Sequence, residues 1–204
     1  MNTNARNLIG AFAVATALGT SATTAGPLED GDAAYRDKDY AKAVELWQPL
    51  AERGDATAQY FIGTLYAEGK GVPQSDETAF SWFQRAANKG NAVAQYNVGA
   101  SYAAGAGVKK SDTDAAKWFL RAANQGMPYA QLNLGLLYAS GSGVPQDNVE
   151  AFKWLSLAFA GLPPGGVRMD VAKAMADVGE QLTFEQKDEA KQRERAWKVR
   201  PEGK

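Results

Sequence analysis

Apolar side chains recur at i, i+3, i+4, i+7 and i+8 in three separate stretches: Ala79, Trp82, Phe83, Ala86, Ala87; Ala115, Trp118, Phe119, Ala122, Ala123; and Ala151, Trp154, Leu155, Ala158, Phe159. That spacing lays a single stripe along an α-helix, with large aromatic and small Ala side chains alternating so that a neighbour can approach closely. Ala43, Leu46, Trp47, Leu50 and Ala51 repeat the stripe one period upstream. Ahead of each stripe runs another apolar-rich segment. In the first instance Ala58, Ile62, Leu65 and Tyr66 share a face, predicting a helix over 57–68. The pattern therefore predicts tandem helix hairpins and no sheet.

The hairpins repeat in strict register. Trp82, Trp118 and Trp154 are 36 residues apart, as are Gly63, Gly99, Gly135 and Tyr66, Tyr102, Tyr138. A fixed period of this length is the signature of a solenoid, in which each unit buries its open face only against the next. Gly54, Gly90 and Gly126 precede the units, where a helix C-terminus favours a left-handed residue. Gly63 falls inside a predicted helix, at a cost of about 1 kcal/mol against Ala, which points to a close helix crossing. Asp76, Asp112 and Asn148 stand just before the second helices and are expected to be their N-caps. The loops Gly69-Lys-Gly-Val-Pro-Gln, Gly105-Ala-Gly-Val and Gly141-Ser-Gly-Val-Pro-Gln read as turns. A phosphate-binding reading fails for want of a preceding strand, a third Gly and a closing Lys-Ser/Thr.

The two ends of the chain depart from the period. Arg6, the apolar run Leu8 to Leu18 and the small residues Thr23 and Ala25 read as an export signal over 1–25. The run is too short for the roughly 20 residues that span a bilayer, so no stable membrane insertion is expected once the signal is removed. Residues 26–54 read as a degenerate capping hairpin, residues 55–162 as three full units and residues 163–204 as capping helices and tail. Within the last segment, Val171, Ala174, Met175 and Val178 mark one helix. Thr183 with Gln186 forms a capping box for another, which is expected to reach the end region near Trp197.

Composition narrows the chemistry. The chain has no Cys and no His, which removes thiol and imidazole catalysis, disulfides and the commonest transition-metal ligands, so no metal or other cofactor is expected. Of the 22 basic side chains one lies in 1–25, against none of the 23 acidic ones, so the remainder carries −2. Without a basic excess a nucleic-acid partner is not expected. Cysteine-free export suits a bacterial periplasm or secretion.

The recurring residues Ala-x-Ala-Gln-Tyr-x-x-Gly-x-x-Tyr, Gly-x-Gly-Val and Ala-x-x-Trp-Phe-x-x-Ala-Ala resemble the SEL-one-like repeat (SLR) family, relatives of the tetratricopeptide repeats, over about residues 40 to 160. The third unit departs at Leu132 and at Ala160-Gly161. The resemblance implies an all-α fold, a right-handed α-α superhelix or solenoid of tandem helix hairpins, whose first helices line a concave surface that binds a protein or peptide partner. By register that surface falls on Thr57, Tyr60 and Thr64; Val93, Tyr96 and Ala100; and Tyr129, Leu132 and Leu136. Asn97 and Asn133 align across units as candidate clamps for a peptide backbone. Packing between adjacent first helices is the competing reading of each position.

The function implied is an exported interaction scaffold without catalysis. The alternative is a cell-wall polymer binder, or a hydrolase working through two carboxylates about 5–10 Å apart. Only Glu52 with Asp55 and Asp76 with Glu77 offer such a pair near the repeats, and all four look like helix-end residues. A sugar platform would need surface Trp side chains, whereas the spacing is expected to bury them.

Overall fold

The computed structural model describes residues 26–203, so the export segment read from 1–25 lies outside the described residues. Those described fold into ten α-helices and no strand: α1 Pro27–Arg36, α2 Tyr40–Glu52, α3 Ala56–Glu68, α4 Asp76–Asn88, α5 Ala92–Ala104, α6 Asp112–Asn124, α7 Pro128–Ser140, α8 Asn148–Gly161, α9 Gly166–Gly179 and α10 Phe184–Ala196. Helices pair as α1/α2, α3/α4, α5/α6 and α7/α8, and the second of each pair packs on the first of the next. Both α9 and α10 pack on α8. This is an all-α solenoid.

Two glycine columns explain the tight stacking. A Cβ on Gly63, Gly99 or Gly135 would sit 2.7, 2.7 and 2.8 Å from Phe83, Phe119 and Leu155, inside any real carbon contact. Within each hairpin the apolar side chain of the second helix thus lies flat on the backbone of the first, which offsets the helical cost of glycine. The second Gly of each Gly-x-Gly loop makes the contact between units. Gly107 and Gly143 have φ of 68° and 72° and lie directly against the backbone of Asp76 and Asp112. A side chain there would be strained by φ and blocked by the preceding helix start. The motif is a stacking device.

The caps differ from expectation by one residue. Ser75, Ser111 and Asp147 cap α4, α6 and α8, their side chains accepting from Thr78 N, Asp114 N and Val149 and Glu150 N. Asp76, Asp112 and Asn148 are instead the first helical residues. The extended backbone at Ser75 and Ser111 places the hydroxyl over the first turn, while Asp76, Glu77, Asp112 and Asp114 sit where the helix dipole favours negative charge. The Thr183–Gln186 capping box is present at α10.

The tryptophan column is also not uniform. Trp154 is 2% exposed, but Trp82 and Trp118 are only half-buried. Each of those two is roofed by the arginine one turn later, Arg85 at 4.1 Å and Arg121 at 4.5 Å from the ring centroid. A planar guanidinium covers an indole face while staying hydrated, so the position needs no full burial. Trp197, the C-cap of α10, stands edge-on to Trp154 with centroids 6.3 Å apart.

Candidate interaction surface

The first-helix row divides by burial. On α7, Leu136 is 43% exposed, and Tyr129, Leu132 and Asn133 are half-buried. On α3, Thr57, Tyr60 and Thr64 are half-buried, and on α5 so are Val93 and Ala100. Tyr96 and Asn97 are 2% and 8% exposed and are closed to a partner. The Tyr96 ring lies 5.8 Å from Phe119 and 6.5 Å from Tyr129, wedged between its own hairpin and the next. Burial pushes its hydroxyl up to about 12. Tyr60 rests against Phe61 and Phe83, and burial raises its hydroxyl pKa as well. Two polar members turn to their own helix: Thr64 Oγ1 donates to Tyr60 O at 3.1 Å and Asn133 Nδ2 to Tyr129 O at 2.9 Å.

The acidic candidates sit at helix ends. Asp55 caps α3, accepting from Ala58 N at 2.7 Å, while Glu52, Asp76 and Glu77 are exposed. Glu52 accepts from Gln48 Nε2 at 2.8 Å. Among the described residues no group of three or more His, Cys, Asp or Glu could hold a metal ion. No helix among them is long and apolar enough to cross a membrane. A shallow open recess lies between Asp147–Val149 and Gln181–Leu182, with Asn148 Nδ2 donating to Gln181 Oε1 across it at 3.1 Å.

A second surface escaped the reading of the sequence. Buried Gln59, Gln95 and Gln131 each donate Nε2 back to a carbonyl at the end of the preceding second helix, Ala51, Ala87 and Ala123, at 3.0, 3.2 and 3.3 Å. Along this edge of the solenoid, formed by second-helix ends and the turns into the next first helices, lies the extended segment 197–203. Val199 packs over Gly126, and Arg200 N donates to Asn124 O at 2.8 Å. Glu202 N donates to Gln125 Oε1 at 3.2 Å, and Gly203 lies on the backbone of Lys89 and Gly90. The Glu202 carboxylate accepts from Arg121 Nη2 at 2.6 Å and from Gln95 Nε2 at 2.8 Å. The Arg121 bond holds that carboxyl below its ordinary value. One sequence signal pointed here, Trp-x-x-Arg at 82/85 and again at 118/121.

The family description "Sel1 repeat" matches residues 26–55, 56–91, 92–127 and 128–161. Among solved structures, the chain is similar to a Sel1 repeat protein from Oxalobacter formigenes, with 32% identity and a TM-score of 0.67 over 75% of this chain and 60% of that one. It is also similar to c5321, a protective antigen present in uropathogenic Escherichia coli strains that displays an SLR fold, with 30% identity and a TM-score of 0.68 over 83% of this chain and 38% of that one. The chain thus spans 60% and 38% of the length of these two relatives. No curated protein matches it significantly. Repeats of this kind generally act as protein–protein interaction scaffolds and are typically non-catalytic. With consecutive matches from residue 26 to residue 161 on a solenoid of stacked hairpins, the chain belongs to the Sel1 repeat, or SLR, family.

Proposed function

We propose that the chain is an exported, non-catalytic scaffold that holds a protein or peptide partner on the first-helix row, in the periplasm or outside the cell. The observation that carries this reading is the stripe Tyr129, Leu132, Leu136 on α7, which leaves Leu136 43% exposed and Leu132 partly so. Tyr60 with Thr57 and Thr64 on α3, and Val93 with Ala100 on α5, extend it at the same register. A surface of Tyr and aliphatic side chains with little charge suits recognition of a protein segment. Export rests on the pattern in residues 1–25. The hydrolase alternative draws no support from Asp55, which is committed to capping α3, or from the exposed helix-end acids.

Affinity capture from envelope extract, with residues 26–204 as bait beside a Leu132→Glu/Leu136→Glu variant, tests the reading. A protein retained by the wild type and lost by a variant of unchanged helicity is the expected result. Equal capture by both would move the binding surface off this row.

A further inference from the structure

Glu202 sits in a subsite that the repeat builds more than once. Its carboxylate receives Arg121 Nη2 at 2.6 Å, Arg121 Nε at 3.2 Å and Gln95 Nε2 at 2.8 Å. Arg121 is positioned by stacking on Trp118 and by donating to Ala87 O at 3.3 Å, and Gln95 Oε1 is satisfied by Gln125 Nε2 at 2.8 Å. One repeat towards the N-terminus the same parts recur. Arg85 stacks on Trp82, Gln59 is bonded to Ala51 O, and Lys89 takes the place of Gln125, its ammonium beside Gly54. Among the described residues no carboxylate pairs with this arginine. Gln59 Oε1, on a residue 1% exposed, lacks the donor that Gln125 Nε2 gives to Gln95 Oε1 one repeat on.

The bound segment sets the spacing between subsites. Val199 lies at Gly126 and Glu202 at Gly90, so the chain advances one repeat in three residues. Extended backbone covers about 10 Å in three residues, the thickness of one packed helix layer. A segment with acidic side chains three residues apart would therefore meet Arg121 and Arg85 in turn.

We propose that this edge is a track for an extended acidic segment of a partner protein, with Arg121 and Arg85 reading successive acidic side chains and Val199's seat at Gly126 taking an apolar one. Residues 197–203 are the track's built-in occupant, which the partner's segment displaces. The proposal rests on the scaffold reading only in taking the partner to be a protein, and its test leaves Leu132 and Leu136 untouched, so either can fail alone.

The probe is a fluorescent, C-terminally amidated peptide carrying the 197–204 sequence with one glutamate added at its end, which puts a second acid three residues after the first. Anisotropy titrations use the full chain as wild type, Glu202→Lys and Glu202→Lys/Arg85→Glu, with helicity checked for each. Removing the internal competitor raises apparent affinity in Glu202→Lys by about tenfold or more, because only the open fraction binds. Adding Arg85→Glu lowers it again by about tenfold, the scale of one charge-assisted bond. Peptide without the added glutamate is insensitive to Arg85→Glu. Equal affinity for wild type and Glu202→Lys, or no effect of Arg85→Glu, overturns the proposal. So does self-association of the wild type that Arg85→Glu abolishes without peptide uptake, which would make a second copy's segment the occupant.

Discussion

Arg121 and Glu202 are 81 residues apart in sequence, yet the guanidinium Nη2 and the carboxylate Oε2 meet at 2.6 Å. The pair ties the segment after the last helix to the middle of the solenoid. Because Arg121 and then Gln95 hold the carboxyl below its ordinary value of 4.5, the folded state favours the ionised form. Its contribution is complete above that unfolded-state value and fades as pH falls through the lower folded-state one. Both side chains are about a third exposed, at 35% and 33%, so solvent screens the pair. Glu202→Gln should cost about 0.5–1 kcal/mol at neutral pH. The gap in melting temperature from wild type should hold steady from neutral pH down to 4.5 and narrow as pH falls further below that value. A gap independent of pH would show that the ion pair contributes nothing.

Truncating the tryptophans should separate the column. Trp154→Ala removes a side chain 2% exposed that also supports Trp197, and is expected to cost about 3–5 kcal/mol in urea unfolding. Trp82→Ala and Trp118→Ala should cost clearly less, since each ring is half-buried with an arginine over one face. Equal costs at all three positions would contradict the arginine-roofed arrangement.

Glycine substitutions test the hairpin crossing. Gly99→Ala places a methyl 2.7 Å from the Phe119 ring and should destabilise by about 1–3 kcal/mol. At Gly166 nothing lies within 4 Å of the added carbon, and Ala there should be neutral or stabilising by up to about 1 kcal/mol. Thermal melts of the two variants give the comparison, and a harmless Gly99→Ala would mean the helices are farther apart than described.

Tyr96 makes the alkaline limb informative. Its hydroxyl is raised by burial from 10.0 to about 12, so the folded state favours the protonated phenol. That stabilisation is complete below pH 10.0 and is lost as pH rises through about 12. Tyr96→Phe, which cannot ionise, should lose less stability than wild type between about pH 9 and about pH 12. Parallel loss in both would place Tyr96 in contact with solvent.

Most of the fold was legible because the repeat states it several times. The 36-residue step of Trp82, Trp118 and Trp154 and the i, i+3, i+4, i+7 faces specify hairpins stacked in register. The caps slipped by one because Ser75-Asp76 and Ser111-Asp112 each offer two good capping residues in a row, and backbone geometry chooses the first. Trp82 and Trp118 were placed too deep because an apolar stripe does not reveal that an arginine will stack over it. On the first-helix row, periodicity put Tyr96 and Leu136 on comparable faces. Neighbours then decide exposure: Phe119 and Tyr129 close over Tyr96, while Leu136 stays 43% exposed. The docking of 197–203 was illegible, since it occurs once and Glu202 carries no periodic mark linking it to Arg121.

The most direct test of the scaffold account is site-specific photo-crosslinking in the native envelope, with a photoreactive side chain at Leu136 or, as control, at Met169, which is 74% exposed on α9. The account predicts a discrete protein adduct from position 136 and none from 169. An adduct at 169 but not 136, or none at either in cells where the chain is exported and folded, would contradict partner binding on the first-helix row.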